Sequence, residues 1–129
     1  MTHLEEVTMF GRFTKNIKPY VETELNLARK AYAAGHYSHA FKYLENAHVI
    51  GQESTYYHVK VHYIMLFWAL RQRNLGELLG QAFRVVGAAT KTAFGLVPSG
   101  NTGGANVSPF KVMPISPKHA NYISNAKLR

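Results

Sequence analysis

Leu44 to Met65 reads LENAHVIGQESTYYHVKVHYIM. Its middle, Gly51 to Ser54, separates two stretches of helical spacing, so the chain turns back on itself here. Glu45 and His48 stand three residues apart before the break, and His58 and His62 stand four apart after it. Residues so spaced share one helix face, with Cβ atoms about 5–6 Å apart. The stretch therefore reads as a helical hairpin with Glu-x-x-His on one arm and His-x-x-x-His on the other. That is the outline of a metal site.

Working outward, the spacing predicts a helix from about Ser38 to Ile50, with Ala40, Phe41, Leu44, Ala47 and His48 on its inner stripe and Gly51 closing it. Ser54 is placed to cap a second helix running to about Gln72. That helix is apolar nearly all round (Val59, Val61, Ile64, Met65, Leu66, Phe67, Trp68, Leu70) and should be the most buried element. Upstream, Pro19 suits the first turn of a helix, where its missing N–H is not needed. Val21, Leu25, Ala28 and Tyr32 follow at helical spacing up to Gly35, and residues 1–18 become a lead-in. Downstream, Asn74 with Glu77 three residues later forms a capping-box signal for a helix towards Phe94. Gly76, Gly80 and Gly87 would let that helix pack closely on a neighbour.

Two hairpins then resemble each other. Ala31 to His48 and Ala69 to Val86 align without gaps at an offset of 38 residues. Leu27, Ala28, Gly35, Tyr37, Ala40 and Ala47 sit as in a tetratricopeptide repeat. In the second copy Arg73 replaces the turn glycine and Leu78 a small residue. Such stacks bury their ends with about three units or a cap. The tail supplies a cap: residues 95–116 hold three prolines, with a fourth following at Pro117, which forbid a long helix, yet the stretch is too apolar for a solvated linker. They read as an extended arm laid across the helices, with turns at Ser99-Gly100 and Thr102-Gly103-Gly104. Ser116-Pro117 then opens a short final helix, within residues 117–129. The expected fold is all-α: four main helices in two tetratricopeptide-like hairpins (19–94), a wrapping arm and a short terminal helix, all in one domain.

Composition narrows the function. The 129 residues suit a single core, and 47% hydrophobic with 17% charged residues reads as globular. Cysteine is absent, which excludes disulfides and thiolate ligands. No apolar run approaches the roughly 20 residues of a membrane span, and the N-terminus lacks the pattern of a secretory signal, so the expected location is cytoplasmic. The net charge of +8 is spread along the chain without a recognition motif, which argues against nucleic acid. A protein partner or a homodimer stays open. Gly87-Ala-Ala-Thr-Lys-Thr lacks the earlier glycine of a phosphate loop, and no serine has the context of a catalytic triad.

The metal reading has a definite ligand set. His48 continues the stripe of Leu44 and Ala47 and should point at the helix carrying His58 and His62. Glu45 is one turn back and slightly off that stripe. Glu24 competes with it as fourth ligand, because at the 38-residue offset it is the counterpart of His62. Three imidazoles and a carboxylate suit a transition metal (zinc first, then nickel, cobalt, copper or iron) and disfavour calcium and magnesium. The alternative is a polar core, in which a buried neutral histidine satisfies one nitrogen with a tyrosine hydroxyl, from Tyr56, Tyr57 or Tyr63, and the other with a glutamate.

Leu44 to Trp68, followed by GAATKTAFGLVPSGNTGGANVSPFKVMPI, resembles a family of small bacterial proteins known as domain of unknown function 3703. The resemblance spans about Pro19 to Pro117. It includes Glu45, Ala47, His48, Gly51, Gln52, His58 and His62, then Gly100 to Pro109. Val112 departs from it, standing where a proline is expected. The family implies no agreed activity; the company of its members beside heavy-metal efflux genes implies metal handling. Three functions follow as expectations: a metal-binding protein that buffers, delivers or senses a transition metal, a tetratricopeptide-like interaction module with a histidine core, and a metal-dependent enzyme of unknown reaction.

Overall fold

Phe13, Ile17, Val21, Leu25 and Ala28 fall on one helical stripe, and the first helix follows that stripe rather than the proline. In the computed structural model, which describes residues 11–93, 99–108 and 111–128, α1 runs Arg12–Ala33 with Pro19 inside it. The expected helix start at Pro19 is thereby corrected. A proline inside a helix costs about 3 kcal/mol, but starting earlier buries Phe13 and Ile17, each contributing about 1.5–3 kcal/mol. Pro19 itself lies on the exposed side. Residues 1–10 of the expected lead-in, residue 94 at the expected end of the fourth helix, and 95–98 and 109–110 of the arm lie outside the described residues.

The remaining elements are α2 (Tyr37–Gly51), α3 (Thr55–Arg71), α4 (Leu75–Ala93) and the short α5 (Pro117–Leu128). The described residues form four main helices and a short C-terminal one, with no strand. α1 packs on α2, α2 on α3 and α3 on α4, while α5 returns to α1 and α2. The core is built from Phe13, Ile17, Val21, Leu25, Leu44, Ile50, Tyr57, Val61 and Met65, with Ile123 of α5 closing one side.

The two hairpin turns are the same turn. Gly35 N–H donates to Tyr32 O and His36 N–H to Ala31 O; 38 positions later Arg73 N–H donates to Leu70 O and Asn74 N–H to Ala69 O. Gly35 has φ +82° and Arg73 φ +54°, so the arginine sits in the left-handed region that glycine occupies in the first copy. Such a conformation costs a side-chain-bearing residue roughly 1–2 kcal/mol.

Caps fall where side chains supply them. Ser54 Oγ accepts from Tyr57 N–H at 3.3 Å and Asn74 Oδ1 from Glu77 N–H at 3.0 Å. The Glu77 carboxylate leaves the capping box and instead accepts from Ala105 N–H in the arm. Gly51 is needed for room: a Cβ there would lie 3.0 Å from both Tyr57 Cβ and Val21 Cγ2. Of the α4 glycines, Gly80 packs closely, against Ala105, whereas a Cβ on Gly76 would meet only Asn74 Oδ1, at 3.7 Å, and Gly87 faces open space. α3 is not buried all round. Tyr57, His58, Val61, His62, Met65 and Ala69 face inward, but Tyr63, Phe67 and Leu70 are exposed, because only one side of the helix meets α2 and α4.

Candidate metal centre

α2 and α3 fold back at Gly51–Ser54, and this brings the inward histidines of both helices to one point. His48, His58 and His62 are 2%, 4% and 2% exposed, so the cluster is sealed. One ligand nitrogen from each lies within 4.8 Å of the other two. Their rings meet at 4.6–5.0 Å between centroids. His48 Nε2 and His62 Nε2 stand 3.0 Å apart.

The outer nitrogens decide what those inner atoms are. His48 Nδ1 lies 2.6 Å from the backbone oxygen of Asn101, an acceptor only, so Nδ1 carries the hydrogen. His62 Nδ1 lies 2.6 Å from Gln81 Oε1. The Gln81 amide is oriented by its other end, since Nε2 donates to Glu77 Oε2 at 2.7 Å and to Gly103 O at 2.8 Å. Oε1 must therefore accept, and His62 Nδ1 must donate. Both neutral rings thus turn an unprotonated Nε2 lone pair towards the other at 3.0 Å. Two lone pairs repel at that distance unless a proton or a metal ion lies between them.

A proton is poorly held there. Burial pushes His48 well below the ordinary histidine range, and the neighbouring His62 and His58 push it further down. A metal ion fits better. Histidine ligands commonly donate their outer N–H to a carbonyl or carboxylate, which fixes the tautomer and aims the inner nitrogen. Two nitrogens each about 2.0–2.1 Å from a tetrahedral ion would stand roughly 3.3 Å apart, close to the 3.0 Å between His48 and His62, while the His58 nitrogen lies within 4.8 Å of both.

The arm braces this arrangement. Asn101 is 2% exposed; its Nδ2 donates to Ser108 O at 2.7 Å and Lys111 O at 2.8 Å, and its Oδ1 accepts from Gly103 N–H at 2.9 Å. Arg84 of α4 donates to the carbonyls of Gly103, Gly104 and Val107. Gly103 has φ +83°, and a Cβ on it would lie 2.6 Å from His48 Cδ2 and 2.9 Å from Nε2. The backbone therefore lies directly on the His48 ring.

Neither expected carboxylate joins the cluster among the described residues. Glu24 is turned towards α5, with its carboxylate 3.8 Å from His119 Nε2 and 3.5 Å from Asn46 Nδ2. Its sequence equivalence to His62 fails as a guide because α5 covers α1, whereas α2 covers α3. Glu45 is half-buried one turn before His48, off the ring-bearing stripe, and its carboxyl is raised by burial and by Glu77, with Lys42 opposing. Gln81 and Asn101 escaped the sequence reading. The only signal for Gln81 was a polar residue among the apolar positions Leu78, Ala82 and Val85, and Asn101 sat in what looked like an ordinary glycine-rich turn.

The fold and the cluster define a class: an all-helical protein with a sealed three-histidine centre braced by an irregular C-terminal arm. Residues 15–123 match the family model described as Protein of unknown function (DUF3703), and the chain belongs to that family. No curated protein and no solved structure gives a significant match.

Proposed function

We propose that the protein binds one transition metal ion, zinc in the first instance, through His48, His58 and His62, and serves metal homeostasis or resistance by buffering, delivery or sensing. The facing lone pairs of His48 and His62, each fixed by an acceptor behind its ring, carry this reading. Nickel, cobalt, copper or iron would suit the same nitrogens. The fourth position would fall to an outside ligand or to Glu45 after a side-chain rotation. Burial of all three rings favours holding an ion over turning over a substrate. The two hairpins would be tetratricopeptide-like, with the centre at the junction between copies.

Elemental analysis of the untagged full chain beside a His58→Ala/His62→Ala double variant tests the proposal. About one equivalent of metal in the wild type and none in the variant is expected. Equal contents in the two would refute it.

One observation supports a second reading, that of an interaction module. A groove of about 490 Å³ between α1, α2 and α3 is lined by Leu25, Tyr32, Leu44, Ile64, Phe67 and Trp68. It would take an apolar peptide segment, with the histidines serving only as core.

A further inference from the structure

The internal repeat makes the outer face of α4 informative. Leu75, Leu79, Phe83 and Val86 are 71%, 67%, 85% and 73% exposed, on one stripe at four-, four- and three-residue spacing. Their counterparts 38 positions earlier are Tyr37, Phe41, Glu45 and His48 on α2. There the next helix, α3, lies on the face: Phe41 packs on Trp68 at 4.5 Å, Trp68 Nε1–H donates to Tyr37 O, and His48 meets His62. The second copy presents the same face, and among the described residues no following helix covers it.

The opposite end of the stack is closed. Tyr20 and Glu24, the α1 counterparts of His58 and His62, are covered by α5, with Tyr20 stacked on Tyr122 at 4.3 Å and Glu24 facing His119. Elsewhere α1 exposes Arg12, Lys15, Lys18, Arg29 and Lys30. A head-to-tail stack, in which α1 of one copy covers α4 of another, is therefore blocked by the chain's own last helix and by charge.

We propose that α4 packs against α4 of a second copy across a two-fold axis near Phe83, making the protein a homodimer. The face suits a self-complementary contact, since its flanking exposed positions, Gly76, Ala82 and Ala89, are small and uncharged. The four large side chains alone present on the order of 500 Å² of apolar surface. A stable interface needs about 800 Å² per partner, and the small flanking residues Gly76, Ala82 and Ala89 would add to the share of the stripe. The histidine centre lies on the inner side of the bundle, away from this contact.

Light scattering with sedimentation, run over a range of concentrations on the full chain, tests the proposal. The wild type should have twice the 14.5 kDa chain mass. Phe83→Glu and Leu79→Lys should each raise the dimer dissociation constant about 30-fold or more, with helix content by circular dichroism unchanged. If a charged variant fails to fold, cysteine replaces it, the natural chain having none. Phe83→Cys should then oxidise readily to a covalent dimer while Lys18→Cys on α1 does not. A wild type that stays monomeric at every concentration, its face left to a different protein, overturns the proposal. So does a dimer indifferent to both charged variants, or cross-linking through Lys18→Cys instead.

Discussion

Replacing Gly103 by alanine tests whether the arm rests on the metal-binding ring. Two costs are expected. The backbone at φ +83° disfavours any Cβ by about 1–2 kcal/mol. The Cβ would also sit 2.6–2.9 Å from three atoms of the His48 ring, short of contact distance by roughly 0.7 Å. The ring is tied through Nδ1 to Asn101 O and buried, so it cannot step aside without loosening that contact. Forcing such an overlap costs typically about 1–3 kcal/mol. Gly35→Ala is the control, because Gly35 has nearly the same φ, +82°, and nothing within 4 Å of an added Cβ. Urea unfolding should show Gly35→Ala losing only the backbone cost, and Gly103→Ala losing that plus the overlap, about 2–5 kcal/mol in all. Zinc titration should show at least about tenfold weaker binding for Gly103→Ala and no change for Gly35→Ala. Equal destabilisation and equal zinc affinity in the two variants would refute the contact between arm and ring.

Other outcomes follow from the same geometry. Gln81→Leu removes the acceptor behind His62 and should weaken zinc binding about 10–100-fold, measured by competition with a chelator; unchanged affinity would mean that the ring is aimed by something else. Arg73→Gly relieves a left-handed arginine on an exposed turn and should raise stability by up to about 1 kcal/mol, read from the urea midpoint; a lower midpoint would contradict the strain. In the metal-free protein His48 binds its proton less readily folded than unfolded, so the unfolded chain holds more protons below the ordinary histidine value of about 6.5. Stability from this group is therefore complete above that pH and lost as pH falls below it, by at most about 1.4 kcal/mol per pH unit. Thermal unfolding between pH 7.5 and 5 checks this, and a flat profile in the metal-free chain would count against it. Bound zinc should likewise be released below about pH 6, and retention down to pH 5 would point to other ligands.

Periodicity placed the four main helices and the final one, because a buried stripe recurs every three or four residues and its polar caps stand just outside. It erred at Pro19, where the cost of a lost backbone hydrogen bond is visible in sequence but the burial of Phe13 and Ile17 is not. It erred again on α3, since an apolar composition does not say how many neighbours a helix has. The 38-residue offset was legible as text, and the paired turns at Gly35 and Arg73 carry it into the backbone.

The residue types within a single hairpin set the three histidines on the facing sides of α2 and α3, because helical spacing and one short turn suffice to aim them. Only the tertiary structure brought Asn101 and Gln81 behind the rings and turned Glu24 away to α5. Those contacts span 53 and 19 residues for the brace and 95 for the diversion. No local pattern encodes them. They depend on where an irregular arm comes to lie once the helices it crosses have packed.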